Sequence, residues 1–404
     1  MPNRMTSRLP GVALVVVALG AGGRTAAAQA MAAIAPGGKL AACPADSVVP
    51  IAAPKNPLPS ESSTAGITKF TFIAYGDTRG RHDGQQLQAE HQLVIESMLA
   101  KMKSLAASGD PVRFVLQSGD AVRVGAVAAG WNVSYIPLIN RLTTEAGVPY
   151  FFSVGNHDVT SSEALDAPQR KVGLCHVFAA NSRLIPAPGA PHRLAGYPDY
   201  AFGFGNSWFI AFDSNIASDS TQLVWVTSEL ESLDRKRYPN VVVFFHHPAF
   251  SSGPHGGALV EAQTAAIRSR YMPLFRRHHV RLLLTGHEHL YEHWVERYSD
   301  ASGAHRMDQI VSGGGGAPLY GYSGEPNLRD YLAAGASEKL TVEHLVKPGL
   351  NPGASPFHYL VIHVDGDQFR IEVIGVDWGS GFAPYGGVLG NATVLSDDAP
   401  LKQR

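Results

Sequence analysis

Cysteine is nearly absent from this chain: Cys43 and Cys175 are the only two in 404 residues. That scarcity excludes a disulfide-dense scaffold and a cysteine-held metal site, and leaves either one disulfide or two free thiols. Positive charge is not in excess either. Lys and Arg total 33 against 34 Asp and Glu, a formal net charge of −1. The basic field that non-specific nucleic-acid binding needs is therefore missing, and polynucleotides are disfavoured as partners. Long apolar runs are lacking too. Nothing approaches the roughly eighteen apolar residues of a bilayer-crossing helix, so no stable membrane span is expected. With 45% apolar and 17% charged residues, the composition is otherwise that of a globular protein.

The N-terminus reads differently from the rest. Arg4 and Arg8 precede the apolar run Gly11–Gly20, and small residues then lead to Ala28-Gln29-Ala30. This charged, apolar, A-x-A order is that of a secretory signal peptide cleaved after Ala30, the alternative being an unstructured Ala-rich tail. Export would place the chain in a periplasmic or extracellular space, where a Cys43–Cys175 disulfide is permitted. Leu40-Ala41-Ala42-Cys43 matches a lipoprotein cleavage box superficially, but it lies some twenty residues beyond the apolar run, which argues against lipid anchoring. Prolines 44, 50, 54, 57 and 59 with Ser60–Thr64 read as a linker. The expected organisation is a signal peptide over 1–30, a Pro/Ser-rich linker over 31–66, one domain over 67–395 and a tail over 396–404.

Beyond residue 66, strand-like and helix-like segments alternate. Strands are expected at 69–75, 113–117, 150–154, 207–212, 241–245 and 281–284, and helical periodicity at 85–107, 222–233 and 264–277. Residues 359–364 and 369–376 flank Asp365-Gly366-Asp367 as a hairpin. The pattern predicts an α/β domain with sheets flanked by helices.

Polar residues gather directly after the apolar strands. In order they are Gly76-Asp77-Thr78-Arg79, Gly119-Asp120-Ala121-Val122-Arg123, Gly155-Asn156-His157-Asp158, His246-His247-Pro248 and Gly286-His287-Glu288-His289. In open α/β sheets, ligands bind in the crevice at the carboxyl ends of strands. Asp, Asn and His are hard and borderline donors suited to divalent cations, and a carboxylate can bridge two ions that together activate water and clamp a phosphoryl group. Singly, each piece is weak, since Gly-Asp is usually a turn and Asn-His-Asp a cap. Gly313–Gly316 lacks the Lys-Ser/Thr of a phosphate-binding loop and reads instead as close packing near the metals.

The ordered set resembles the calcineurin-like metallophosphoesterase superfamily, whose series is GD, GD, GNH(D/E), H-x-P, GHxH. The run Gly286–Glu292 is most similar to its purple acid phosphatase-like branch. The resemblance spans about residues 69–377 and implies a four-layer α/β/β/α sandwich of mixed sheets with its metals at strand carboxyl ends. It implies that Asp77 and His289 ligate a first metal, that Asp120 bridges, and that Asn156, His246 and His287 hold a second. His157 would stand near the leaving group as acid or charge stabiliser. The cofactors implied are two divalent ions, Mn, Fe, Zn or similar. His247 is expected to support packing rather than ligate.

Two positions depart from the family. Where many members place a first-site histidine stands Arg79, and where purple acid phosphatases place a tyrosine stands Arg123, so no charge-transfer colour is expected. Arg79 could contact substrate phosphate, and so could His255 in the Gly/Pro-rich loop after the His246 strand. The function implied is a secreted phosphoesterase acting on small-molecule phosphate esters, phosphomonoesters favoured. The alternatives are a phosphodiesterase on nucleotides or lipid-linked phosphates, and a non-catalytic secreted binding protein that retains the fold.

Overall fold

The computed structural model describes residues 48–159, 168–187, 189–351, 356–376, 383–384 and 393–395. The signal-peptide stretch, Cys43 and the 396–404 tail lie outside the described residues.

Strand β1 (Lys69–Tyr75) sets the layering. Phe70, Phe72 and Ala74 point to one face, Ile73 and Tyr75 to the other, and all five are buried. A strand buried on both sides needs cover on both. In its own sheet β1 runs parallel to β2 (Val112–Gln117), and β2 runs parallel to β3 (Tyr150–Phe152). On its other edge β1 pairs antiparallel with a long strand, Phe357–Asp365, which returns as Gln368–Val376. The second sheet contains, in chain order, β4 (Tyr200–Phe204), β5 (Ser207–Ala211), β6 (Asn240–Phe244), β7 (Leu282–Thr285), β8 (Tyr291–Asp300), β9 (Gly303–Ser312) and β10 (Thr341–Val346). Its spatial order is β10-β8-β9-β7-β6-β5-β4, with β5, β6, β7 and β9 parallel neighbours. The Phe357–Asp365 and Gln368–Val376 strands are β11 and β12, and two short strands, β13 (Ala383–Pro384) and β14 (Thr393–Leu395), pair with β12.

The sheets face each other across an aromatic layer. Phe72 and Phe114 of the first meet Phe209 of the second edge-on at 5.4 and 5.1 Å, and Phe151 stacks on Phe202 at 4.0 Å. Each such ring contributes roughly 1.5–3 kcal/mol by leaving water. Outside the first sheet lie Val94, Ile95 and Met98 of the helix Ala89–Ala107, with Trp131, Tyr135 and Ile139. Outside the second lie Val226 and Leu230 of the helix Ser220–Glu231, with Ile267, Tyr271 and Phe275. The result is the four-layer α/β/β/α sandwich of mixed sheets.

Residues 48–66, the described part of the expected linker, lie along the domain: Val48 and Ile51 are buried, Ile51 N–H donates to Ala180 O at 2.9 Å, and Lys55 N–H to Thr143 O at 3.1 Å. The prolines fix extended backbone that docks rather than swings. Cys175, on the helix Pro168–Asn181, is disulfide-bonded. No helix among the described residues is long and apolar enough to cross a membrane.

Two buried histidines make stability pH-dependent. His91 accepts from Tyr75 Oη at 3.1 Å and donates to Gln88 Oε1 at 2.8 Å, and burial pushes its pKa down to about 3. Burial pushes His358 down to about 4. Both are neutral when folded, so their contribution is whole above the ordinary value of about 6.5 and is lost as pH falls toward the folded values. Denaturant unfolding at about pH 7 and pH 5 should lose up to about 2 kcal/mol less in His91→Gln than in the wild type. Equal pH dependence in the two proteins would remove His91 from this account.

Candidate metal centre

The predicted residues converge at one edge of the sandwich because each ends a strand. Asp77 follows β1, Asp120 follows β2, Asn156 follows β3, His246 follows β6 and His287 follows β7. Asp77, Asp120 and His287 have φ of 60, 57 and 70°, in the left-handed region that costs a non-glycine residue about 1–2 kcal/mol. This sharp turn aims each side chain back over the sheet edge. The glycines before them leave room for the neighbouring ligand. A Cβ on Gly155 would lie 2.3 Å from Asp120 Oδ1, and one on Gly286 would lie 2.2 Å from Asp77 Oδ2. The Gly313–Gly316 run serves the same packing, since Gly315 N–H donates to Gly76 O at 2.8 Å.

The turns are bonded to one another across the sheets. Asp77 Oδ2 accepts from His287 N–H at 2.9 Å, tying the first sheet to the second. Asp158, fully buried, accepts four backbone N–H bonds: from Asp120 and Gly155 at 2.8 Å, Ala121 at 2.9 Å and Val122 at 3.3 Å. It clamps the Asp120 turn to the Asn156 turn.

Two subsites share Asp120. In one, His246 Nε2 lies 2.8 Å from Asn156 Oδ1 and 3.2 Å from His287 Nδ1, with Asp120 Oδ1 at 3.4 Å. His246 donates its Nδ1–H to Ser118 O at 2.9 Å, which leaves the Nε2 lone pair facing the cluster. In the other, Asp77, Asp120 and His289 present donor atoms within 4.8 Å of one another. His289 donates Nδ1–H to Pro318 O at 2.6 Å, so its Nε2 lone pair faces Asp77 Oδ1 at 3.5 Å.

The two departing arginines behave differently. Arg79 turns inward, its Nε 3.3 Å from Asp120 Oδ2 and its Nη2 3.4 Å from His289 Nε2. Arg123 is exposed, its N–H donating to Asp83 Oδ2 at 2.7 Å and its Nη1 to Arg81 O at 3.3 Å, so it brings nothing to the centre.

Around the mouth, His157 donates Nδ1–H to Arg123 O at 2.7 Å and holds Nε2 4.0 Å from Asp120 Oδ2. His255 lies with its ring 4.8 Å from that of His287. Both are oriented by Glu261, which sequence reasoning passed over: one oxygen takes His255 Nδ1 at 3.1 Å and the other His287 Nε2 at 3.0 Å. Its only sequence signal is a lone glutamate opening a helix. Tyr320, also unforeseen, stacks on His289 at 4.1 Å. His247 faces Ser214 Oγ at 2.8 Å, behind the cluster.

The electrostatics ask for a cation. Burial, with the Asp120 charge beside it, pushes Asp77 up to about 7. Burial would raise Asp120 as well, but His246, His157 and Arg79 together hold it below the ordinary carboxylate range. An amide oxygen, inward imidazole lone pairs and a buried carboxylate form a donor set that fits a divalent ion at the Asn156–His246–His287 subsite. At the Asp77–His289 subsite the donors converge, but Arg79 already stands against two of them.

Fold and donor set define a candidate metal centre held between two mixed sheets. The calcineurin-like phosphoesterase family profile matches residues 72–291. The chain belongs to that family, and membership implies divalent metal ions. It is 28% identical over 159 residues to purple acid phosphatase 1 of Ipomoea batatas, covering 38% of this chain and 30% of that one. Among solved structures it is similar to the purple acid phosphatase PPD1 from yellow lupin (Lupinus luteus) seeds. There the TM-score is 0.57 at 16% identity, over 86% of this chain and 56% of that one. The chain thus spans 30% of the first of these relatives and 56% of the second.

Because Asp158 satisfies four buried donors, Asp158→Ala should cost about 4 kcal/mol or more in urea unfolding. A loss below about 1 kcal/mol would mean the turns are held by other bonds.

Proposed function

We propose that this chain is an exported, metal-dependent phosphoesterase that hydrolyses small phosphate esters, with phosphomonoesters favoured. The observation that carries the reading is the convergence of Asn156 Oδ1, His246 Nε2 and His287 Nδ1 within 3.2 Å beside Asp120. The Arg4–Ala30 pattern supports export, and the two sheets, which run from Lys69 to Leu395, support one hydrolase domain over 67–395.

A bound divalent ion supplies a Lewis acid and brings the pKa of water toward neutrality. Asn156, His246, His287 and Asp120 would hold it, and Asp77 and His289 would complete the family's ligand set. The rest of the chemistry falls to the protein. His255, kept protonated to higher pH by its bond to Glu261, offers a cationic N–H to a phosphate oxygen. Arg79 has five N–H donors, and its bonds to Asp120 and His289 leave others for the phosphate from the opposite side. His157, anchored by the Arg123 carbonyl and with 33% of its side chain exposed, is positioned to assist the departing oxygen. Small esters rather than polynucleotides suit a chain whose formal net charge is −1.

Asp120→Asn and His287→Ala should each lower hydrolysis of an aryl monophosphate on the order of 10³-fold while circular dichroism stays native. A wild-type rate from metal-depleted Asp120→Asn would sink the assignment. Aryl monophosphate assayed against bis-aryl phosphate decides between monoester and diester. A folded, metal-loaded protein that turns over neither would be a binding protein retaining the fold.

A further inference from the structure

We infer that the guanidinium of Arg79 takes the place of the first metal, so that the chain holds one divalent ion tightly, at the Asn156–His246–His287 subsite, rather than two. The inference deepens the proposed function and rests on its assignment of that subsite.

The case begins with the lone pairs. His289 has its Nδ1–H committed to Pro318 O at 2.6 Å, so Nε2 has a single lone pair to give. Arg79 Nη2 stands 3.4 Å from that atom as its donor. One lone pair cannot both accept this N–H and bind an ion. Asp120 divides its oxygens in the same way. Oδ1 faces His246 and accepts from His157 N–H at 2.9 Å, while Oδ2 accepts from Arg79 Nε at 3.3 Å. The oxygen that would bridge to a first ion therefore already meets a cation. Arg123, at the remaining ligand position, is bonded outward to Arg81 O and supplies no donor there.

Charge points the same way. Asp77 and Asp120 bring at most two negative charges to the first subsite. A divalent ion at the second subsite and the Arg79 guanidinium already bring three positive ones. A second divalent ion between Asp77, Asp120 and His289 would stand against the guanidinium and meet its repulsion. Arg79 is 16% exposed on its side chain and is held against the buried Asp120 Oδ2, so swinging away would break that pair. Its donors are also arranged as a phosphate fork, which allows one residue to balance the carboxylates and receive a phosphoryl oxygen.

The test is metal stoichiometry rather than rate. Chelator-stripped full-length chain is equilibrated with Mn²⁺, desalted and measured by elemental analysis, with electron paramagnetic resonance on the same samples. One ion per chain and an uncoupled Mn²⁺ spectrum are expected for the wild type. Arg79→His, which supplies the imidazole many relatives have, should take up a second ion at least about 100-fold more tightly and give an exchange-coupled pair through Asp120. Arg79→Ala, which frees the same lone pair without adding a ligand, should bind a second ion more weakly than Arg79→His but more tightly than the wild type. Two tightly held, coupled ions in the wild type would overturn the inference and leave the proposed function standing, as would a single ion in folded Arg79→His. No bound ion in the wild type, together with an unchanged result in His246→Ala, would overturn the subsite assignment itself.

Discussion

The Asp120 carboxylate is the constraint on which the rest of the site depends. It is almost fully buried, and its backbone is held in a left-handed turn. Its two oxygens look into two different subsites. An isolated buried carboxylate would take up a proton. His246, His157 and Arg79 around it, with the His157 N–H bond, favour the ionised form of Asp120. Those neighbours come from three separate loops, so the charge balance of one residue requires both sheets to meet at the right separation. The aromatic layer of Phe72, Phe114, Phe151, Phe202 and Phe209 sets that separation.

The strain in the turns is met in the same place. Three left-handed residues at adjacent strand ends add several kcal/mol of local cost. Bonds that cross between the turns offset it: Asp77 N–H to Gly119 O at 2.9 Å, His287 N–H to Asp77, and the four bonds to Asp158. The arrangement is rigid before any ligand arrives, which is the condition for ordering donors without further reorganisation.

Much of this was legible from local pattern. Strand β1 was read at its true limits because an apolar run meeting Gly-Asp has both a period and a stop. The helix expected from 85 begins at Ala89, since Gly80 to Gln88 are used instead by Asp83, which bonds Gly80 N–H and Arg123 N–H. β4, β8, β9 and β10 escaped notice. β8 carries Glu292, Glu296 and Arg297, charges that read as surface until Arg276 and Trp294 are seen to cover the first two. Glu261 and Tyr320 were illegible for the same reason: their partners His287 and His289 lie 26 and 31 residues away in sequence, and no spacing rule joins them.

Arg79 and Arg123 mark the limit of reading by residue type. Both stand where the family puts a ligand, and the sequence treats them alike. Their backbones do not. Arg79 N–H is bonded to Asp120 O at 3.1 Å, within the ring of turns, so its side chain rises over the carboxylates. Arg123 N–H is drawn outward by Asp83, and its guanidinium follows to the Arg81 carbonyl. One arginine thus adds a positive charge to the centre while the other removes a ligand from it. Both changes push in one direction, toward a centre in which the second subsite is strengthened relative to the first. A family pattern read only for conserved donors would count two losses, whereas the geometry counts one loss and one replacement.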